Sequence, residues 1–233
     1  MLDFRHFDVI TFDCYGTLID WESGMLEALR PFREENGLRV SDDQLLESFA
    51  ALEANLESGD YIRYREVLRG VMRGLAMRYS VPMDRVDMDA LAASLPRWRP
   101  FPDTVAALTR LKKRCKLAVV SNTDDDFFAA TARLLEVPFD WVITAEQVRA
   151  YKPSPRNFER ALEVMGVAKG RVLHAAQSRY HDVAPASALG MATVWVNRRH
   201  DRPGEGATAR STAQPDLEVP DLTTLADHVE AAV

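Results

Sequence analysis

Four short polar stretches of the 233-residue chain hold residue types that could form a reaction centre, and each follows an apolar run or the loop after one. They are Asp13-Cys14-Tyr15-Gly16-Thr17, Ser121-Asn122-Thr123, Tyr151-Lys152-Pro153 and Gln177-Ser178-Arg179-Tyr180-His181-Asp182. A carboxylate, a hydroxyl, an ammonium and a second carboxylate are an active-site inventory if the fold brings them together. Each also has a plainer use. Asp13 and Asp182 suit the capping of a following turn or helix, Lys152 a surface loop, and His181 a packed neutral imidazole. Cys14 invites thiol chemistry, but strand alternation turns it away from Asp13 and Tyr15 into the interior.

The apolar runs that must position these groups read as strands. They are Asp8-Val9-Ile10-Thr11-Phe12, Lys116 to Val120, Trp141-Val142-Ile143, Arg171 to Ala175 and Ala192 to Val196. Near-continuous apolar runs of that length suit strands buried on both faces of a parallel sheet. Helical patterns alternate with them, roughly Asp103 to Arg114, Asp124 to Leu135, Pro155 to Met165 and Asp182 to Leu189. This alternation predicts a doubly wound α/β sheet, whose ligands sit at the carboxyl ends of the strands. From Trp21 to Leu95 only helical periodicity occurs. One apolar stripe is Leu45, Leu46, Phe49 and Leu52, another Val67, Leu68, Val71 and Leu75, with boundaries at Ser41-Asp42-Asp43 and Ser80-Val81-Pro82. A helical cap over 20–97, inserted after the first strand of a core formed by 1–19 and 98–233, is the expected organisation. Its hinges fall near Ile19-Asp20 and in the proline-rich return from Pro96 to Pro102. Trp21 opens the cap, placed either to line the pocket or to pack. The stretch from Arg198 to Gln214 reads as a long surface loop before a short strand at Leu217-Glu218-Val219 and a closing helix.

The four motifs in this order resemble those of the haloacid dehalogenase superfamily along nearly the whole chain. Tyr15, the early helical insertion, Ser121-Asn122 and Tyr151-Lys152-Pro153 look like its L-2-haloacid dehalogenase branch. The resemblance implies that Asp13 is a nucleophile forming an aspartyl ester that water later cleaves. Family phosphatases place a second Asp two residues on as general acid and use Mg²⁺ with an Asp of the fourth motif. Tyr15 and Gln177 stand at those positions here, so the resemblance implies displacement at carbon with no metal and no cofactor. It further implies that Lys152 holds Asp13 ionised, and that Thr17 and Ser121 hydrogen-bond carboxylates. Asn122 would donate to a departing anion, and Asp182 would orient Lys152 and with His181 help activate water. The backbone N–H groups of Cys14 and Tyr15 would receive a substrate carboxylate. The expected reaction turns an (S)-2-haloalkanoic acid into a 2-hydroxyacid and halide.

Three positions depart from that branch. Gln44 and Leu45 stand nearest to an early cap arginine, Phe158 replaces a tyrosine six residues beyond the lysine, and the fourth motif lacks the Ser-x-Asn pattern. Arg63 or Arg65, two apart and so not on one helix face, is expected to supply the missing cation, and Tyr64 to line the alkyl group. A phosphatase using Mg²⁺ through Asp13 and Asp182, and a catalytically weak binding protein, are the alternatives.

Composition narrows the field. With 47% hydrophobic and 27% charged residues, 11 Gly and 12 Pro, the chain is neither collagenous nor disordered. No apolar run reaches the roughly 20 residues of a membrane span, and charges interrupt the N-terminus where a signal peptide needs an apolar stretch. Two cysteines at unrelated positions suggest neither a metal site nor a disulfide framework, and point to a reducing, cytoplasmic setting. A net charge of −6 argues against nucleic acid. Lys112-Lys113-Arg114 reads as a helix end. The expected partner is a small molecule, with a homodimer implied by the resemblance.

Overall fold

The computed structural model describes residues 2–202, 204 and 206–232. After a 3₁₀ turn at Phe4–His6 comes β1 (Val9–Phe12), followed by four α-helices, α1 (Trp21–Glu35), α2 (Asp42–Glu57), α3 (Tyr64–Arg78) and α4 (Ala90–Ser94). Next come α5 (Thr104–Leu111), β2 (Lys116–Ser121), α6 (Asp125–Leu135), β3 (Trp141–Thr144), α7 (Ala145–Val148) and α8 (Arg156–Met165). The chain closes with β4 (Val172–Ala176), a π-turn (Arg179–Val183), α9 (Ala184–Ala188), β5 (Ala192–Val196), β6 (Leu217–Val219) and α10 (Leu222–Ala231).

The six strands form one parallel sheet in the order β3-β2-β1-β4-β5-β6. β1 therefore lies where the winding reverses, and the loop after it opens into the crevice such sheets use for ligands. Every residue of β1 and β4 is buried, which is why both read as near-continuous apolar runs. The chain is a doubly wound α/β fold with a helical insertion after the first strand. Leaving and returning segments of the insertion touch, with Ile19 bridged to Pro100 and Asp20 N–H bonded to Arg99 O at 2.8 Å. α2 starts at a capping box in which Ser41 and Gln44 satisfy each other's backbone N–H groups. Both apolar stripes of the insertion turn inward, and they join the sheet's upper face in one hydrophobic cluster. Among the described residues no helix is long and apolar enough to cross a membrane.

Two elements differ from expectation. The predicted helix Asp182 to Leu189 is a π-turn followed by a short α9. Pro185 has no N–H to donate and fits only in the first turn of a helix, so α9 begins next to it. The preceding residues wrap around Ser178, whose carbonyl accepts the N–H of both Asp182 and Val183 at 3.2 Å. The stretch from Arg198 to Gln214, parts of which (Pro203 and Glu205) lie outside the described residues, is not simply a surface loop. Arg198 is clamped to Asp103 at 2.8 Å, Arg199 to Glu22 at 2.5 Å and Asp43 at 3.1 Å, while Ala207 and Thr208 are buried. The guanidiniums, themselves largely buried, find acidic partners on the core and on the insertion, which overrides the loop-like composition.

Candidate active site

Asp13 follows β1 directly and is 7% exposed. The next residues turn sharply, so that the Cys14 carbonyl accepts from the N–H groups of Thr17, Leu18 and Ile19. Gly16 takes φ +92° in this turn, and a Cβ there would lie 2.8 Å from Trp21 Nε1, so only glycine fits. The turn brings Thr17 back onto the carboxylate, where its hydroxyl donates to Asp13 Oδ2 at 2.7 Å. Thr17 Oγ1 in turn accepts the Gln177 N–H at 2.9 Å.

Lys152 is 1% exposed and spends all three ammonium protons inside the protein. They go to Asp13 Oδ1 at 2.8 Å, Asp182 Oδ1 at 2.7 Å and Val120 O at 2.9 Å. Burial alone would lower its pKa, but the Asp13 and Asp182 charges hold it above the ordinary lysine value. For Asp182, burial would raise the carboxyl, yet Lys152 and His174 hold it below its usual range. Burial pushes the Asp13 carboxyl up, Lys152 pulls it back and Asp182 adds to the rise, leaving it above the ordinary value. A carboxylate made more basic yet kept ionised by an adjacent ammonium is suited to nucleophilic attack.

Sequence reasoning passed over His174, which lay inside an apolar run. Its Nε2 stands 2.9 Å from Asp182 Oδ1 and its Nδ1 2.8 Å from Thr11 Oγ1. Phe158, where the branch carries tyrosine, packs edge-on against the imidazole with centroids 5.0 Å apart. A lone histidine in a fully buried strand, opposite Thr11 in register, was the available signal.

The remaining predicted residues divide into two groups. Tyr15, Trp21, Tyr64, Ser121, Asn122, Gln177 and His181 line one cavity of about 30 Å³ with Asp13, Lys152 and Asp182. Cys14 is fully buried and its side chain stays out of that lining, as alternation requires. Trp21 both lines the cavity and packs edge-on against Phe49. Burial lowers the His181 pKa to about 4, so its imidazole is neutral at neutral pH. Asn122 corrects the expectation of a donor to a departing anion. Its Nδ2 donates to Lys152 O at 3.0 Å and to Glu57 Oε2 at 3.1 Å, and its Oδ1 accepts the Lys152 N–H at 2.7 Å. It is a clip that holds the lysine loop.

Arg63 and Arg65 are the larger correction, because neither lines the cavity. Arg63 reaches Glu146 at 3.1 Å and Asp126 at 3.4 Å, while Arg65 also pairs with Asp126. Both lie about Asp124, at 3.6 and 3.5 Å. Arg63 precedes α3 in extended backbone, so helical spacing does not separate the two side chains. Acidic residues at the start of α6 and α7 simply outcompete the cavity for them.

In place of a guanidinium, α2 presents Glu53 and Glu57. The Tyr64 hydroxyl donates to Glu53 Oε1 at 2.7 Å. Burial raises Glu53 to about 8, opposed by the Tyr64 hydrogen bond and helped by the Asp13 charge. Burial and then the Glu53 charge raise Glu57 well above the usual range, against Lys152 and Asn122. Neither was anticipated, although Phe49, Glu53 and Glu57 continue the buried stripe at intervals of four. Thr208, from the misread tail, completes the lining and donates to Gln177 Oε1 at 3.0 Å.

The donor set does not suit a divalent cation. An ammonium bridges the two aspartates, Gln177 adds no charge, and among the described residues no three His, Cys, Asp or Glu side chains gather as a metal site.

Comparison with known proteins agrees with this layout. Over 201 residues the chain is 27% identical to haloacetate dehalogenase H-2 of Moraxella sp. (strain B), covering 83% of this chain and 87% of that enzyme. It is 26% identical over 229 residues to an (S)-2-haloacid dehalogenase of Pseudomonas sp. (strain YL), covering 96% and 94%. The L-2-haloacid dehalogenase structure from Xanthobacter autotrophicus superposes with a TM-score of 0.77 at 22% identity, covering 97% of this chain and 100% of that one. A model of the haloacid dehalogenase-like hydrolases matches residues 7–190, and the chain belongs to that family of hydrolases.

Proposed function

We propose that this hydrolase breaks a carbon–halogen bond through an ester on Asp13, in the manner of the (S)-2-haloacid dehalogenases it is similar to. The observation that carries the reading lies two residues beyond the nucleophile. An acid that protonates a leaving group would stand there, and the residue is Tyr15, its hydroxyl 2.9 Å from Thr131 Oγ1. Burial raises this phenol far above its ordinary pKa. A leaving group that is stable as an anion needs no such acid, and halide is one.

Asp13 attacks the halogen-bearing carbon from the side opposite the halogen. The new C–O bond forms as the C–X bond breaks, and halide departs with the electron pair. Water then adds to the Asp13 ester carbonyl, the product alcohol leaves, and one oxygen of the regenerated carboxylate comes from that water. Asp182 Oδ2 and His181 Nε2, buried and without hydrogen-bond partners among the described residues, would take the proton of that water. On the 2-haloacids for which those relatives are named, this route would give a 2-hydroxyacid. The Mg²⁺-dependent phosphatase alternative lacks a fitting donor set. The three-way bond of Lys152 favours chemistry over mere binding.

The test is halide release from bromoacetate, bromoacetamide and (S)-2-chloropropionate in excess EDTA, with a single turnover in H₂¹⁸O. The expected result is metal-free halide release from at least one of the three that Asp13→Asn abolishes, with ¹⁸O first appearing in the Asp13 peptide. Label going directly into product, or full activity of the variant, sinks the ester.

A further inference from the structure

The cavity holds four carboxyl groups, from Asp13, Glu53, Glu57 and Asp182, against the single ammonium of Lys152. That ammonium has no proton to spare, since all three bond within the protein. The two arginines expected nearby are held elsewhere by Asp124, Asp126 and Glu146. An entering carboxylate would meet no free cation and would keep Glu53 and Glu57 from ionising, whereas an entering cation would favour their ionised form. An entering cation meets acceptors. Glu57 Oε1 is buried without a hydrogen-bond partner among the described residues, on a side chain 5% exposed. Ser121 Oγ, on a residue 1% exposed, is likewise unpartnered and lines the same cavity. Unsatisfied buried oxygens of this kind mark the place of a missing donor.

We propose that the cap wall formed by Glu53 and Glu57 binds an ammonium group, so that the substrate is a small alkylamine carrying the leaving group and not a haloalkanoate. The identity of the reaction rests on the Asp13 ester reading; the binding claim rests on the cavity alone. Burial is the largest cause of the rise in both glutamates, Lys152 offsets it only in part at Glu57, and a bound ammonium would add a counter-charge beside them. Two carboxylates and a serine hydroxyl also match the three donors of a primary ammonium.

Propionate, propionamide and propylammonium share one shape and differ in charge. Their binding to the full chain at pH 7, read by calorimetry or ligand-observed NMR, separates the possibilities. Propylammonium should bind at least about tenfold tighter than propionate, and Glu57→Gln, which keeps the side chain's shape, should erase the preference. Glu53→Gln, whose amide can still accept from Tyr64, should weaken it. Propionate binding as tightly as propylammonium, no binding of any of the three, or a preference untouched by both variants overturns the proposal. Halide release from chloroacetate, chloroacetamide and 3-chloropropylammonium, measured alongside, keeps the two readings apart. Halide from none of them removes the ester while the binding order stands. Halide from chloroacetate together with tight propionate binding removes the ammonium site and leaves the ester.

Discussion

Lys152 is the residue on which the charge balance of the site turns. It lies between two carboxylates that are themselves almost out of water, and its neutralising effect is therefore poorly screened. Lys152→Met keeps the bulk of the side chain and removes the charge, stranding Asp13 and Asp182 against each other. Breaking a buried pair from one side costs about 3–5 kcal/mol. Urea unfolding should show a loss of that order together with loss of turnover; a variant as stable as the parent would mean that the aspartates do not depend on the ammonium. Glu53 adds a pH signature. Its folded carboxyl keeps a proton up to about 8, whereas the unfolded chain releases it near 4.5. The folded state therefore binds more protons between those values, and this contribution lowers stability as pH rises through the window, by at most about 1.4 kcal/mol per pH unit. His181 works in the opposite sense: neutral when folded down to about 4, it loses stability as pH falls from 6.5 toward 4. Subtracting the curve of Glu53→Gln from the parent curve isolates the first effect. A flat difference from pH 4.5 to 8 would show that Glu53 is not held protonated.

At the scale of elements, what was legible followed from burial on both faces. Strand positions came out within a residue because sheet interiors admit few polar side chains, and the strand ends then placed Asp13, Ser121 and Asp182. The cap wall was harder to see, because Glu53 and Glu57 occupy stripe positions normally filled by apolar residues and acids there read as solvent-facing. Arg63 and Arg65 were misjudged for a related reason. Their direction depends on where α3 starts and on acids of α6 and α7, distant in sequence. Thr208 was hidden by loop-like composition, since only the partners of Arg198 and Arg199 reveal that the tail is pinned. The joint between α1 and the returning linker offers a test with a definite sign. A Cβ at Gly24 would lie 2.3 Å from Trp98 Cδ1. Trp98 is fixed by a 3.0 Å bond to Ser94 and by an edge-on contact with Tyr15. Gly→Ala in an unobstructed helix stabilises by roughly 0.5–1 kcal/mol. Gly24→Ala should instead destabilise by about 1–3 kcal/mol through overpacking, and the displaced Trp98 should disturb Tyr15 and lower kcat/KM. A raised Tm would mean that the indole moves aside freely.

At the scale of the whole molecule, the helical insertion contributes Trp21, Glu53, Glu57 and Tyr64 to the wall of the site. The space at the site, about 30 Å³, is smaller than a three-carbon substrate, so the helical insertion is expected to shift for entry and exit. What it must break is visible at Asp124, which is fully buried at the start of α6. No side chain from its own segment caps α3; its first N–H groups, from Tyr64 and Arg65, donate across to the Asp124 carboxylate at 2.8 and 3.2 Å. The guanidiniums of Arg63 and Arg65 both approach Asp124 Oδ2, and Tyr151 adds a bond from its hydroxyl to Ile62 O at 2.8 Å. A helix N-terminus held by a carboxylate from the opposite side is a latch whose release leaves backbone donors and a buried charge unpaired. Hydrogen bonds to a charged group contribute about 1.5–3 kcal/mol, so Asp124→Ala should raise amide exchange in the first turn of α3 by roughly 10- to 100-fold. Exchange in β1 and β4 should stay as it was, because the sheet does not depend on the latch. KM should rise with kcat little changed if closure is coupled to binding. The first turn of α3 exchanging no faster in the variant would show that the insertion is held by its apolar cluster alone, with Asp124 a bystander.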